Sequence, residues 1–277
     1  MPGEPDIQTL RAFADELADA ARGVILPYFR AEHGLVNKAA RGFDPVTEAD
    51  KRAEETIRAL IDQRFPEHGI IGEEFGAKPS RSGYMWILDP IDGTRAFIAG
   101  LPLWGVLIGL VQEGKPILGI IDQPYLGERF SGWLGDARGA QLQTRDGVRP
   151  LKARACPQLT DAVIATTDPK IFSGGEAAAF EQVRAAAKLA RYGCDCYAYA
   201  MAAMGSVDLV MESGLAPWDV AALIPVLEGA GGGLTDWRGR ALQPEFFSAH
   251  DKRTQAIAFG DARARDEALI ALKRAAH

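Results

Sequence analysis

The sequence predicts a mixed α and β fold, with an α+β first half followed by an α/β second half. Three observations carry this reading. Two stretches of helical periodicity open the chain, a run of short strand-like segments follows them, and beyond about Leu151 strands and helices alternate.

The first helix is read from Ile7, Leu10, Phe13, Ala14, Leu17, Ala18, Ala21, Val24, Ile25 and Tyr28, whose spacing puts them on one helical face. Pro27 ends or kinks it, because proline lacks the N–H that an interior turn needs. After a polar loop from Arg41 to Pro45, Ala53, Ile57, Leu60 and Ile61 mark a second helix, with Thr47 as N-cap and Pro66 and Gly69 beyond its end. Strands are expected over 69–71, 84–88, 103–111 and 116–122, the last two joined by the turn Glu113-Gly114-Lys115. Further short strands are expected over 129–134 and 140–143. The second half reads as strand 162–166, helix 175–189, helix 197–204, strand 207–211, helix 218–228, strand 255–259 and helix 262–275. Gly231-Gly232-Gly233 lacks the lysine and hydroxyl residue of a P-loop and reads as the end of the helix before it.

A chain of 277 residues, 47% hydrophobic and 25% charged, can bury a full core as one large or two medium domains. A boundary near Pro150 would separate 1–150 from 151–277. The net charge of -6 offers no broad basic field, which argues against nucleic acid and anionic membrane as partners. The start Met1-Pro-Gly-Glu-Pro-Asp6 lacks a signal-peptide pattern, and apolar stretches such as 101–111 are too short to span a bilayer, so a cytoplasmic location is expected. Cys156, Cys194 and Cys196 read as reduced structural thiols. His33, His68, His250 and His277 have no ligand spacing, so any metal should be a hard ion held by carboxylates.

The chemistry concentrates in Trp86-Ile-Leu-Asp89-Pro90-Ile91-Asp92-Gly93-Thr94, where an apolar strand runs straight into two acids, a glycine and a threonine. Asp-Pro and Asp-Gly also make ordinary turns, and Asp92 could cap a helix opening near Thr94. Three other segments carry acids. Thr47-x-x-Asp50 also fits a capping box, Gly72-Glu73-Glu74 also fits a charged surface, and in Trp218-Asp219 the acid also suits a helix's first turn.

Taken in order, Asp44-x-Val-Thr47-x-x-Asp50, Gly-Glu73-Glu, Trp-x-x-Asp89-Pro-x-Asp92-Gly-Thr94 and Trp218-Asp219-x-Ala-Ala resemble the inositol monophosphatase superfamily over nearly the whole chain. The resemblance implies a layered αβαβα sandwich, with an N-terminal α+β half and a C-terminal α/β half meeting at a metal site. It also implies a Mg2+-dependent phosphatase with two or three ions, acting on a small-molecule phosphate monoester. Glu73, Asp89 and the carbonyl of Ile91 would bind one ion, and Asp89, Asp92 and Asp219 a second. Glu73 and the Thr94 hydroxyl, oriented by Asp50, would position and deprotonate the attacking water. Backbone N–H groups of Gly93 and Thr94 would receive the phosphate. Charge supports a cation: two carboxylates about 4 Å apart repel by roughly 4 kcal/mol at an effective dielectric near 20. The rival D-x-D-x-T class, with an aspartate nucleophile, needs an acid where Pro90 stands.

Within the superfamily, Asp92-Gly-Thr94-Arg95-Ala-Phe97 and Tyr192-Gly-Cys-Asp195-Cys-Tyr197-Ala-Tyr199, with Asp208-Leu-Val-Met-Glu212 and Ala216-Pro-Trp218-Asp219, look like bacterial histidinol-phosphate phosphatases more than inositol monophosphatases. Histidinol phosphate carries an ammonium and an imidazole, so acids beyond the metal cage suit it, and Asp195 and Glu212 are the candidates. Asp195 and Glu212 also fit solvated loop acids or partners of Arg191. Arg95 is a further substrate-side candidate, with an open role that includes loop ordering or pairing across a subunit boundary. Other substrates within the superfamily are inositol phosphate, sugar bisphosphates and bisphosphate nucleotides, and a catalytically silent binding protein is the reading from a different class. Family members are commonly homodimers; the sequence itself establishes no oligomeric state.

Overall fold

The computed structural model describes residues 5–31, 36–37, 45–135 and 137–275. Asp44, the stretch 41–44 of the polar loop, His33 and His277 lie outside the described residues.

The chain opens with α1 (Ile7–Ile25), whose N-cap Asp6 accepts a hydrogen bond from the Thr9 N–H at 2.8 Å. A single 3-10 turn over Leu26–Tyr28 holds Pro27, so the helix ends where the proline requires. The short strands β1 (Val36–Asn37) and β2 (Pro45–Val46) pair antiparallel ahead of α2 (Glu48–Arg64). Thr47 caps α2 in a capping box closed by Asp50.

A first sheet is then laid down by β3 (Gly69–Gly72), β4 (Gly76–Lys78), β5 (Tyr84–Asp92), β6 (Gly105–Gln112), β7 (Lys115–Gln123), β8 (Glu128–Trp133), β9 (Gly139–Thr144) and β10 (Gly147–Pro150). The short helix α3 (Thr94–Ile98) interrupts it between β5 and β6. Strand order is β10-β9-β8-β7-β6-β5-β3-β4, with β3 and β5 the parallel pair. The second sheet has order β12-β11-β13-β15-β14, from β11 (Val163–Thr166), β12 (Leu189–Tyr192), β13 (Leu209–Leu215), β14 (Gly233–Thr235) and β15 (Thr254–Phe259). Its helices are α4 (Gly175–Ala186), α5 (Asp195–Ala203), α6 (Pro217–Val220), α7 (Leu223–Gly229) and α8 (Ala262–Ala275).

Alternation along the strands produces the layers. Ile70, Trp86, Leu88, Val106, Ile108, Leu118 and Ile120 face α1 and α2. Their neighbours Ile71, Ile87, Leu107 and Ile121 face the opposite way, onto a core shared with α5, α6 and α7. The second sheet puts Ala165, Val210, Ala256 and Ala258 into that same core, and Ile164, Leu209, Met211 and Ile257 against α4 and α8. The order is helix, sheet, helix, sheet, helix, as expected. Asp122, fully buried on β7, accepts from Arg22 of α1 and Arg129 of β8, each at 2.8 Å, and this fastens the first two layers together.

Several expected elements differ. The helix expected over 175–189 stops at Ala186, and Leu189 opens an edge strand instead. The helix expected over 218–228 is two helices, α6 and α7, which turn over the first sheet. Strands β4, β10 and β14 are only three or four residues long and went unread, since pairing rather than periodicity makes them.

Candidate active site

Strand β5 ends in the acid-rich turn. Asp89 is buried, and its Oδ1 accepts from the Ile91 N–H at 3.1 Å. Gly93 takes a left-handed conformation, φ 84°, and opens α3 at Thr94. A glycine is required there on two counts: the positive φ, and an added Cβ that would sit 3.1 Å from the Asp195 side chain.

Carboxylate oxygens of Asp89, Asp92 and Asp219 lie within 4.8 Å of one another. Asp219 reaches this point from the first turn of α6, where its Oδ2 accepts from the Ala216 N–H at 2.7 Å. Asp92 is tied to the second half of the chain by the Cys196 N–H, which donates to its Oδ2 at 2.6 Å. Burial holds the Asp89 carboxyl well above its ordinary range, and the charges of Glu73, Asp92, Asp219 and Asp50 push it further the same way. Asp219 is raised by burial and by Asp92, and Asp92 by burial. Hard oxygen donors gathered this closely, with acids as the main charges acting on Asp89, fit a divalent cation.

Glu73 follows β3, with its N–H donating to the Leu88 carbonyl at 3.2 Å, and its charge acts on Asp50, Asp89, Asp92 and Asp219. Asp50 is buried on α2, and burial raises it to about 6. Its Oδ2 accepts from the Thr47 N–H at 2.8 Å and from the Thr47 hydroxyl. The expected link from Asp50 to Thr94 is not a direct hydrogen bond here: the Thr94 hydroxyl donates to the Ile91 carbonyl at 3.0 Å.

One positioning residue escaped the sequence reading. Glu54, fully buried on α2, accepts from the N–H groups of Glu74 at 2.8 Å and Phe75 at 3.2 Å and from Arg58 Nε at 2.7 Å. It fixes the turn that presents Glu73. A Cβ at Gly72 would fall 2.0 Å from the Glu54 Oε1, so the glycine makes room for this carboxylate. The available signal was an acid inside the apolar face formed by Ala53, Ile57 and Ile61.

Beside the metal-type cluster lies a cavity of about 140 Å³, lined by Asp92, Asp195, Cys196, Tyr199, Glu212 and Asp219 among others. Asp195 starts α5 with φ 41° and is half-buried, and burial with Asp92 and Glu212 raises it to about 8. Glu212, 6% exposed, accepts from the Thr167 N–H at 2.6 Å and is raised by burial to about 7. These two acids therefore line one cavity and are not solvated loop acids. Arg95 is exposed on α3, and its charge acts on Asp195.

The sequence model of the inositol monophosphatase family matches residues 6–276. The chain is 45% identical over 273 residues to the bifunctional phosphatase IMPL2, chloroplastic, of Arabidopsis thaliana, covering 98% of this chain and 77% of that protein. It is 39% identical over 237 residues to a histidinol-phosphatase of Chlorobaculum parvum, covering 85% and 87%. Among solved structures, an inositol monophosphatase from Zymomonas mobilis superposes with a TM-score of 0.83 at 38% identity, covering 98% of this chain and 100% of that one.

Proposed function

The chain belongs to the inositol monophosphatase family and is a phosphoric monoester hydrolase acting on small phosphate monoesters; from that premise we propose that its substrate is L-histidinol phosphate, cleaved to L-histidinol and phosphate with Mg2+ as cofactor. The observation that carries this choice is the pair Asp195 and Glu212 in one cavity beside the carboxylate cluster. A cavity lined by acids favours a cationic alcohol over the uncharged polyol of an inositol phosphate. Histidinol-phosphatases at 39%, 35% and 34% identity support the same reading.

Glu73, Asp89, Asp92, Asp219 and the Ile91 carbonyl would hold the ions. When bound, Mg2+ supplies Lewis acidity that neutralises charge on the phosphoryl oxygens and acidifies water. Glu73 accepts the proton of the attacking water, and the Thr94 hydroxyl orients that water. The N–H groups of Gly93 and Thr94 receive phosphate oxygens at the start of α3. Asp50 steadies the start of α2 through Thr47. Water attacks phosphorus in line with the ester oxygen, the P–O bond to the alcohol breaks, and the alcohol leaves with a proton from solvent. Asp195 and Glu212 meanwhile hold the cationic end of that alcohol, and Arg95 sets the charge balance around Asp195.

Phosphate release from histidinol phosphate and from inositol 1-phosphate, each with Mg2+ and with EDTA, tests this. Histidinol phosphate should be cleaved much faster, and only with Mg2+. A reversed order would assign the protein to the inositol phosphates, the reading that its inositol monophosphatase relatives favour. Turnover in EDTA would remove the metal role.

A further inference from the structure

Tyr199 lies on α5, 3% exposed, and its hydroxyl has no hydrogen-bond partner among the described residues. Such a group is costly, since a buried hydroxyl without a partner loses its bonds to water. Tyr199 lines the same cavity as Asp92, Asp195, Glu212 and Asp219. Of the charges acting on the phenol, Glu212 is the strongest, followed by Asp92 and Asp219. The phenol therefore shares the cavity with these acids and feels most the carboxylate proposed to hold the substrate's cationic end.

We infer that the Tyr199 hydroxyl is a specificity-determining contact that accepts a hydrogen bond from the ammonium group of the substrate. A primary ammonium presents three N–H donors. Asp195 and Tyr199, one turn apart on α5, and Glu212 on β13 supply three oxygens, and the phenol adds an acceptor without adding a further negative charge. Burial, aided by the surrounding acids, keeps the phenol protonated, so its lone pairs are available to the substrate. The orphan hydroxyl of the free protein becomes a satisfied one in the complex. This inference rests on the histidinol phosphate reading and adds the group that tells an amine from its absence.

The test is Tyr199→Phe, assayed against histidinol phosphate and against the same phosphate ester lacking only the amine, with thermal unfolding of the ligand-free protein alongside. Loss of a hydrogen bond to a charged group should lower kcat/KM for histidinol phosphate at least about tenfold, mainly through KM. The loss for the amine-free ester should be several times smaller, and Tm should not fall, because the removed hydroxyl had no protein partner. Equal losses on both esters, a lowered Tm, or no change in KM would each overturn the inference while leaving the substrate intact. Failure of the wild-type protein to cleave histidinol phosphate would instead remove the substrate reading, and this contact with it.

Discussion

At the scale of single residues, burial decides what each ionisable group can do. Asp89 is surrounded by acids, so its charge is a liability to the fold and an asset only to a cation. Asp89→Asn keeps an oxygen for the Ile91 N–H and removes one repelling charge. Turnover should drop at least about a hundredfold, while the melting temperature in EDTA stays level or rises. A clear fall in that temperature would show that Asp89 serves the fold and not an ion. His68 shows the opposite behaviour. It stacks between Phe65 and Tyr84, with ring centroids 4.6 Å and 4.9 Å away, and its Nδ1 accepts from Trp86 Nε1 at 3.1 Å. Burial, aided by Lys78, lowers it from 6.5 to about 4. The unfolded chain therefore takes up a proton that the folded one refuses, and stability is lost as pH falls from about 6.5 to about 4. His68→Gln offers an oxygen to Trp86 without titrating. Denaturant midpoints at pH 7 and pH 5 should fall further in the wild type than in this variant, and equal falls would mean that His68 protonates without cost.

At the scale of elements, a row of glycines sets where the middle helices sit. Gly109, Gly119 and Gly132 are directly opposite one another on β6, β7 and β8. A Cβ at Gly119 would fall 1.9 Å from the Ala222 carbonyl oxygen, and one at Gly132 would fall 2.3 Å from that of Pro225. The backbone of the α6–α7 segment rests on the sheet, with Asp219 carried on α6. Gly119→Ala should cost about 1–3 kcal/mol by overpacking and should also lower turnover, because α6 must move. Gly23→Ala is the contrast: exposed in α1 with nothing within 4 Å of the added Cβ, it should stabilise by up to about 1 kcal/mol. Chemical denaturation reads both signs, and a harmless Gly119→Ala would show that the helices sit loosely. The long amphipathic helices α1 and α2 were legible because Leu10, Phe13, Leu17 and Ile57 repeat at 3.6 residues. The break between α6 and α7 had a signal in the sequence that the helix expected over 218–228 overrode: Pro225 has no N–H to return to the Ala221 carbonyl, and the helix breaks at Ala221 and Ala222. Strand β12 had none, as Leu189 to Tyr192 becomes a strand only by pairing with β11.

At the scale of the whole molecule, the site exists only where segments from both halves of the chain meet. Asp89, Asp92, Glu73 and Asp219 were legible through the order of their motifs, which resembles the inositol monophosphatase superfamily, whereas each alone also fits a turn, a surface charge or a helix's first turn. Glu54, the orphan hydroxyl of Tyr199 and the bond from Thr94 to Ile91 were not, since each depends on which atoms folding leaves near one another. Gathering the acids couples the fold to pH and to metal. Asp50, Glu212 and Asp195 are raised from their ordinary values near 4 to about 6, 7 and 8. The folded chain thus holds protons that the unfolded one releases. Their contribution to stability is complete in acid and is lost as pH rises through those values. A cation bound by deprotonated carboxylates acts the other way, because it binds the folded site more tightly as the protons leave. In EDTA, the part of the melting temperature that these acids control should decline from pH 5 to pH 8. The rise in melting temperature on adding Mg2+ should be larger at pH 8 than at pH 5. Equal rises at both pH values would mean that the ion binds elsewhere than at Asp89, Asp92 and Asp219, whose carboxyls folding also raises, since only a site whose own ligands titrate makes its metal affinity follow the pH.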